Sequence, residues 1–118
     1  MKILGIGVDI VENIRIHKSL KNVNFIKRVF SSSEILLAKN ITNKKSYYSK
    51  RFAAKEAFSK AIGTGFRDNL NFKDIEIINN KIGKPYFLKS KKINNMIIKK
   101  YKIKNYNLFL SISDEKDY

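Results

Sequence analysis

Residues 46–62, SYYSKRFAAKEAFSKAI, decide the fold class. Alanine is frequent there, Pro and interior Gly are absent, and Gly63 follows directly. The stretch therefore predicts a long helix closed by a glycine cap. Upstream, the hydroxyls of Ser31, Ser32 and Ser33 precede Glu34 and the apolar run Ile35, Leu36, Leu37, Ala38, which predicts a second helix start. Between residues 12 and 20, Ile14, Ile16 and Leu20 are interleaved with charges, as on a surface helix, and residues 40–45 read as a loop. Residues 2–10 are nearly all apolar or Gly and predict a buried strand ending near Asp9. Downstream, DIEII at 74–78 predicts a strand, NNKIG at 79–83 a turn, and Tyr86, Phe87 and Leu88 a second strand. Pro85 has no backbone donor and so belongs at the start or edge of that strand. Residues 91–101 place Ile93, Met96, Ile97 and Tyr101 at helical spacing, and YNLFLSIS at 106–113 alternates as a last strand. The expected architecture is α+β, with helices packed on an antiparallel sheet.

The length, 118 residues, is one domain's worth of chain, and no repeat or linker divides it. There is no Cys, so disulfides and thiolate sites are excluded, and a single His, His17, argues against Zn sites and His-based triads. His17 lies among charges and reads as an exposed surface residue. No apolar run approaches the length of a membrane span. Asp9 and Glu12 interrupt the apolar N-terminus and no small-residue cleavage site follows, so the expected location is the cytoplasm. The net charge of +15 points to a polyanionic partner. Of the 25 cations, however, 21 are Lys in a chain crowded with Ile and Asn, a bias that scatters charge without a partner. The Arg residues at 15, 28, 51 and 67 are the more informative cations, because a planar guanidinium suits phosphate and carboxylate.

Two acids sit where acids are expensive. Asp9 follows an apolar strand-like run, and a buried carboxylate there needs a cation or donors. Glu56 lies inside the long helix in a row with Phe52 and Lys60, bordering a small-residue face beside Ala53. Brought together, the two make a hard oxygen site suited to Mg²⁺, which takes one or two carboxylates, waters and substrate phosphates. Spacing alone leaves another reading open, with Asp9 capping a turn and Glu56 paired with Lys60 four residues on. Gly63, Thr64 and Gly65 after the helix, and Gly83, Lys84 and Pro85 after the turn, offer bare backbone donors and a cation to phosphates.

In three stretches, GIGVDIVENIRI at 5–16, RFAAKEAFSKAIGTG at 51–65 and IGKPYF at 82–87, the chain resembles the holo-[acyl-carrier-protein] synthases, small 4′-phosphopantetheinyl transferases. The SIS of residues 111–113 is a weaker echo, and the matches run in the family's order. The resemblance implies that Asp9 and Glu56 bind Mg²⁺ and that coenzyme A sits with its pyrophosphate on that metal. Phosphopantetheine then passes to a serine of apo acyl carrier protein, releasing adenosine 3′,5′-bisphosphate, a step of fatty acid biosynthesis. By the same resemblance Lys60, Gly63, Thr64 and Gly65 lie near the coenzyme A phosphates, Lys84 and Pro85 near its adenylate end, and Arg51 is a candidate phosphate contact. Arg15, Lys18, Lys21 and Arg28 fall where the family docks its acidic carrier, and the family is typically a homotrimer with sites between subunits.

Two departures qualify the match. Where family members commonly have a His after the last S-x-S, this chain has Asp114, and no role is transferred to it. The family normally continues into one more apolar strand, which is absent from this sequence. The general base is left unassigned, between a water on the metal and Glu34. A small nucleic-acid-binding module also accounts for the charge and the interleaved Tyr and Phe. It leaves Asp9 and Glu56 unexplained, since acids repel a phosphate backbone. A transferase acting on another carrier, such as a peptidyl carrier domain, is the rival closest in chemistry.

Overall fold

The computed structural model describes residues 2–63 and 70–118. In chain order these form α1 (Asn13–Ser19), α2 (Val23–Val29), α3 (Ser32–Ala38), α4 (Lys44–Ile62), β1 (Ile77–Asn79), β2 (Pro85–Phe87) and α5 (Lys91–Tyr101), with a 3₁₀ turn at Phe72–Asp74. Helix α4 is the spine. The Asn43 side chain accepts from the Ser46 amide at its start, and Gly63 closes it at φ +80°, a conformation that costs glycine nothing. The first half of α4 carries Tyr47 and Tyr48 into one apolar cluster with Ile16, Val29 and Phe30. Its second half carries Phe58 and Ile62 into another with Leu70, Ile75, Ile93 and Ile97.

The expected hairpin is present with shifted bounds: Asp74 lies in the 3₁₀ turn, so the first strand starts at Ile77 rather than at 74, and Asn79 pairs in it rather than turning. Strands β1 and β2 pair antiparallel, Ile77 opposite Phe87 and Asn79 opposite Pro85, and Gly83 turns at φ +84°. Helix α5 matches its expected bounds and buries Ile93 and Ile97. Helix α2 was not anticipated, although Asn22 caps it through the Asn24 amide.

Two expected strands are corrected. Residues 2–10 form no strand among the described residues, and Ile3, Ile6, Val8 and Ile10 are exposed. Gly5 and Gly7 explain the geometry. A Cβ on Gly5 would lie 2.1 Å from the Ala61 carbonyl oxygen, and one on Gly7 1.8 Å from that of Ala57. The segment's backbone thus rests directly on the alanine face of α4 and turns its branched side chains outward. Residues 106–113 likewise form no strand, with Leu108, Leu110 and Ile112 half-buried and Phe109 exposed. The alternation predicted for them holds, but the pairing does not.

Candidate active site

The contact of Gly5 and Gly7 with Ala57 and Ala61 brings Asp9 alongside α4. There the Lys60 ammonium donates to Asp9 Oδ1 at 2.7 Å and to the Val8 carbonyl at 3.3 Å. The compensating cation demanded for Asp9 is therefore Lys60. Asp9 is not the N-cap of α1, which is Glu12, and the hydrogen bond of Lys60 goes to Asp9, while Glu56 interacts with Lys60 only through its charge. Glu56 stands one turn before Lys60. Partial burial and then the Asp9 charge push its carboxyl above the usual range, and Lys60 only partly offsets them. The bond to Asp9 holds Lys60 above the ordinary lysine value.

A partly buried carboxyl raised by the charge of a second one, as Glu56 is by Asp9, is a ready place for a divalent cation. Two carboxylates and one ammonium leave the site net negative, and their oxygens are the hard donors that Mg²⁺ prefers. Among the described residues no group of three or more His, Asp or Glu gathers, and Asp9 and Glu56 would be the protein's ligands to such an ion. Its remaining ligands would come from water and substrate phosphate. The Asp9 side chain is 14% exposed while that of Lys60 is 54% exposed, so the ammonium remains open to an incoming anion. A groove of about 930 Å³ runs from Asp9 between residues 2–8, the alanine face of α4 and residues 103–113.

The other expected site residues are spread more widely. Gly63 ends α4, whereas Thr64 and Gly65, like Arg67, lie outside the described residues. Lys84 and Pro85 are at the hairpin, the Lys84 side chain exposed and its amide donating to Asn80 Oδ1 at 2.9 Å. Arg51 is not an open arm. It is buried, its guanidinium 3.8 Å from the Tyr47 ring centre and its Nη2 donating to Asn79 Oδ1 at 3.4 Å. Five residues before Glu56, it faces another side of α4. Arg15, Lys18, Lys21 and Arg28 are all exposed, on α1, after it, and in the last turn of α2.

Glu34 is removed from the list of candidate bases by where it sits. It is fully buried, and Oε1 accepts from Lys55 at 2.7 Å and from the Ser31 amide at 2.9 Å, while Oε2 accepts from the Ile77 amide at 3.2 Å. Lys55, also fully buried, donates further to the carbonyls of Phe72 at 2.9 Å and Ile75 at 2.6 Å. This network welds α3 and α4 to β1. Sequence reasoning missed it, although the S-x-x-E spacing of Ser31 and Glu34 is the signature of a reciprocal cap, which is what forms.

Comparison with known proteins identifies the family. The model of the 4′-phosphopantetheinyl transferase superfamily matches residues 5–111. The chain belongs to that family. It is 80% identical over 118 residues to the holo-[acyl-carrier-protein] synthase of Pelagibacter ubique, covering 100% of this chain and 92% of that protein. The crystal structure of the Neisseria meningitidis holo-[acyl-carrier-protein] synthase superposes with a TM-score of 0.86 at 37% identity, covering 98% of this chain and 92% of that one. A Bacillus anthracis holo-(acyl-carrier-protein) synthase, solved in complex with CoA (3′,5′-ADP), matches with a TM-score of 0.68 at 42% identity, covering 75% of this chain and 77% of that one. This transferase thus shares its fold and much of its sequence with proteins named as holo-[acyl-carrier-protein] synthases.

Proposed function

We propose that this transferase moves 4′-phosphopantetheine from coenzyme A to a serine of an acidic apo acyl carrier protein, and that it uses Mg²⁺ to do so. The observation that carries the reading is the meeting of Asp9, Glu56 and Lys60 where Gly5 and Gly7 rest on α4. Bound there, Mg²⁺ would neutralise the pyrophosphate and stabilise charge on the phosphoryl oxygens. Asp9 and Glu56 would hold it. Lys60 would supply an ammonium to the donor's phosphates, whereas the Gly63 amide already donates to the Ser59 carbonyl at 3.1 Å and is not free for that anion. Lys84 and Pro85 lie at the adenylate end in this reading, and Arg51 supports α4 from within.

In the reaction the serine oxygen attacks the β-phosphorus of the pyrophosphate. A phosphorus–oxygen bond to the nucleotide breaks, the serine proton is lost, and adenosine 3′,5′-bisphosphate departs with the bridging oxygen. Such a transfer needs positioning and charge neutralisation rather than a covalent enzyme intermediate. The exposed cations Arg15, Lys18, Lys21 and Arg28 would draw in the acidic carrier.

The enzyme is read as a cytoplasmic homotrimer. The exposed apolar side chains of Ile3, Ile6, Val8, Ile10 and Phe109 favour association, since an apolar surface of this kind seeks cover. No described helix is long and apolar enough to cross a membrane. Incubating the protein with coenzyme A, Mg²⁺ and apo carrier, followed by intact-mass spectrometry, tests the activity: one phosphopantetheine per carrier is expected, and an unmodified carrier would overturn it.

A further inference from the structure

Helix α1 has seven residues, too short to hold itself in water, so its orientation depends on what anchors it. Its buried residues are Asn13 and Ile16. Ile16 packs into the cluster with Phe30 and Tyr48. Asn13 does something else. It is 4% exposed, and its amide donates to the Asp117 carbonyl at 2.7 Å. Its side-chain Nδ2 donates to the carbonyls of Glu115 at 3.1 Å and Lys116 at 3.2 Å. Three successive carbonyls more than a hundred residues away are thus gripped by one asparagine. The Glu12 side chain makes no cap bond, so the segment 114–118 supplies the acceptor that a cap would otherwise give the first turn. The same segment is tied at its other end to α4, where Ser46 Oγ donates to Asp114 Oδ2 at 2.6 Å and Lys50 stands 4.0 Å from that oxygen.

We infer that Asn13 and residues 114–118 form a clasp that positions α1 against α4 and so presents Arg15 and Lys18 to the carrier protein. The inference rests on the carrier-docking reading above and makes Asn13 a positioning residue, not a catalytic one. Its logic is geometric. The anchored side of α1 holds Asn13 and Ile16, and the exposed side holds Ile14, Arg15, His17 and Lys18. Releasing the first turn frees Arg15, two residues on, while Glu56 and Lys60 stay fixed in the second half of α4. The position of Asp114 acquires a role here through Ser46 and Lys50, without chemistry at the reacting phosphorus.

The test compares Asn13→Ala with the parent in steady-state kinetics, varying carrier and coenzyme A separately, alongside amide hydrogen exchange. The expected result is a rise of roughly tenfold in the carrier KM, equivalent to about 1.4 kcal/mol. The coenzyme A KM and kcat should hold within about twofold, and exchange should quicken in α1 but not in α4. If Asn13→Ala does not fold, Ser46→Ala loosens the other end of the clasp at a more exposed position and is expected to show the same split. An unchanged carrier KM in a folded variant overturns the inference, as does an equal rise in both Michaelis constants, which marks general loosening. A parent protein that modifies no carrier at all refutes the proposed function instead, so the two failures are distinct.

Discussion

Replacing Lys55 with Met removes an ammonium from a site where both it and Glu34 are fully buried. Methionine fills nearly the same volume, so the main loss is electrostatic. Glu34 then keeps only the amides of Ser31 and Ile77, and the Phe72 and Ile75 carbonyls lose the Lys55 donor. Stripping one partner from a buried, hydrogen-bonded ion pair costs about 3–5 kcal/mol. With an unfolding entropy of about 0.25 kcal/mol/K for a chain of this length, Tm should fall by about 12–20 °C. The double variant Glu34→Gln, Lys55→Met removes the stranded charge and keeps one carboxamide oxygen as acceptor, enough for one of the Ser31 and Ile77 amides but not both, so it should recover part of that loss, about 1 kcal/mol or more. Thermal and urea unfolding followed by circular dichroism measure both. A Lys55→Met protein within about 1 kcal/mol of the parent, or a double variant less stable than the single, would refute the account of this pair.

Glu56 should leave a pH signature. Its folded-state carboxyl is raised by burial and by Asp9, so the folded state holds that proton more tightly than the unfolded chain does. Without metal, this group's contribution to stability is therefore fully present below the ordinary glutamate value and is lost as pH rises through the raised one. Glu56→Gln should lack that decline and gain on the parent at neutral pH, an advantage that fades in acid; melts over a pH series check it. Gly7→Ala places a Cβ 1.8 Å from the Ala57 carbonyl oxygen, so the segment must lift and carry Asp9 away from Glu56. Turnover should drop by roughly a hundredfold, the scale of a ~1 Å misplacement, with the apolar clusters intact by circular dichroism.

The elements legible in the sequence were those written in local signals. Gly63 announced the end of α4, the spacing of Ile93 and Ile97 announced α5, and Asn80 to Gly83 announced the hairpin turn. Residues 2–10 misled because an apolar run reads as burial on both faces. In the structure the glycines are the inward residues and the isoleucines face out, an arrangement that depends on Ala57 and Ala61 some fifty residues later. The pairing of Asp9 with Lys60 could be demanded from the cost of a partly buried carboxylate, but its partner could not be named by spacing. Glu34 and Lys55, 21 residues apart, and Asn13 with the tail, more than a hundred apart, left no periodic trace.

The central claim is that Asp9 and Glu56 together hold the catalytic metal ion. Its most direct measurement is turnover of Asp9→Asn across a Mg²⁺ titration, with folding verified by circular dichroism. The substitution preserves shape and deletes one negative charge. The account predicts a folded protein whose turnover is at least about a hundredfold lower, equivalent to nearly 3 kcal/mol of lost transition-state stabilisation, and only partly restored by excess Mg²⁺. A folded Asp9→Asn protein that works at near-normal rate in low Mg²⁺ would contradict it.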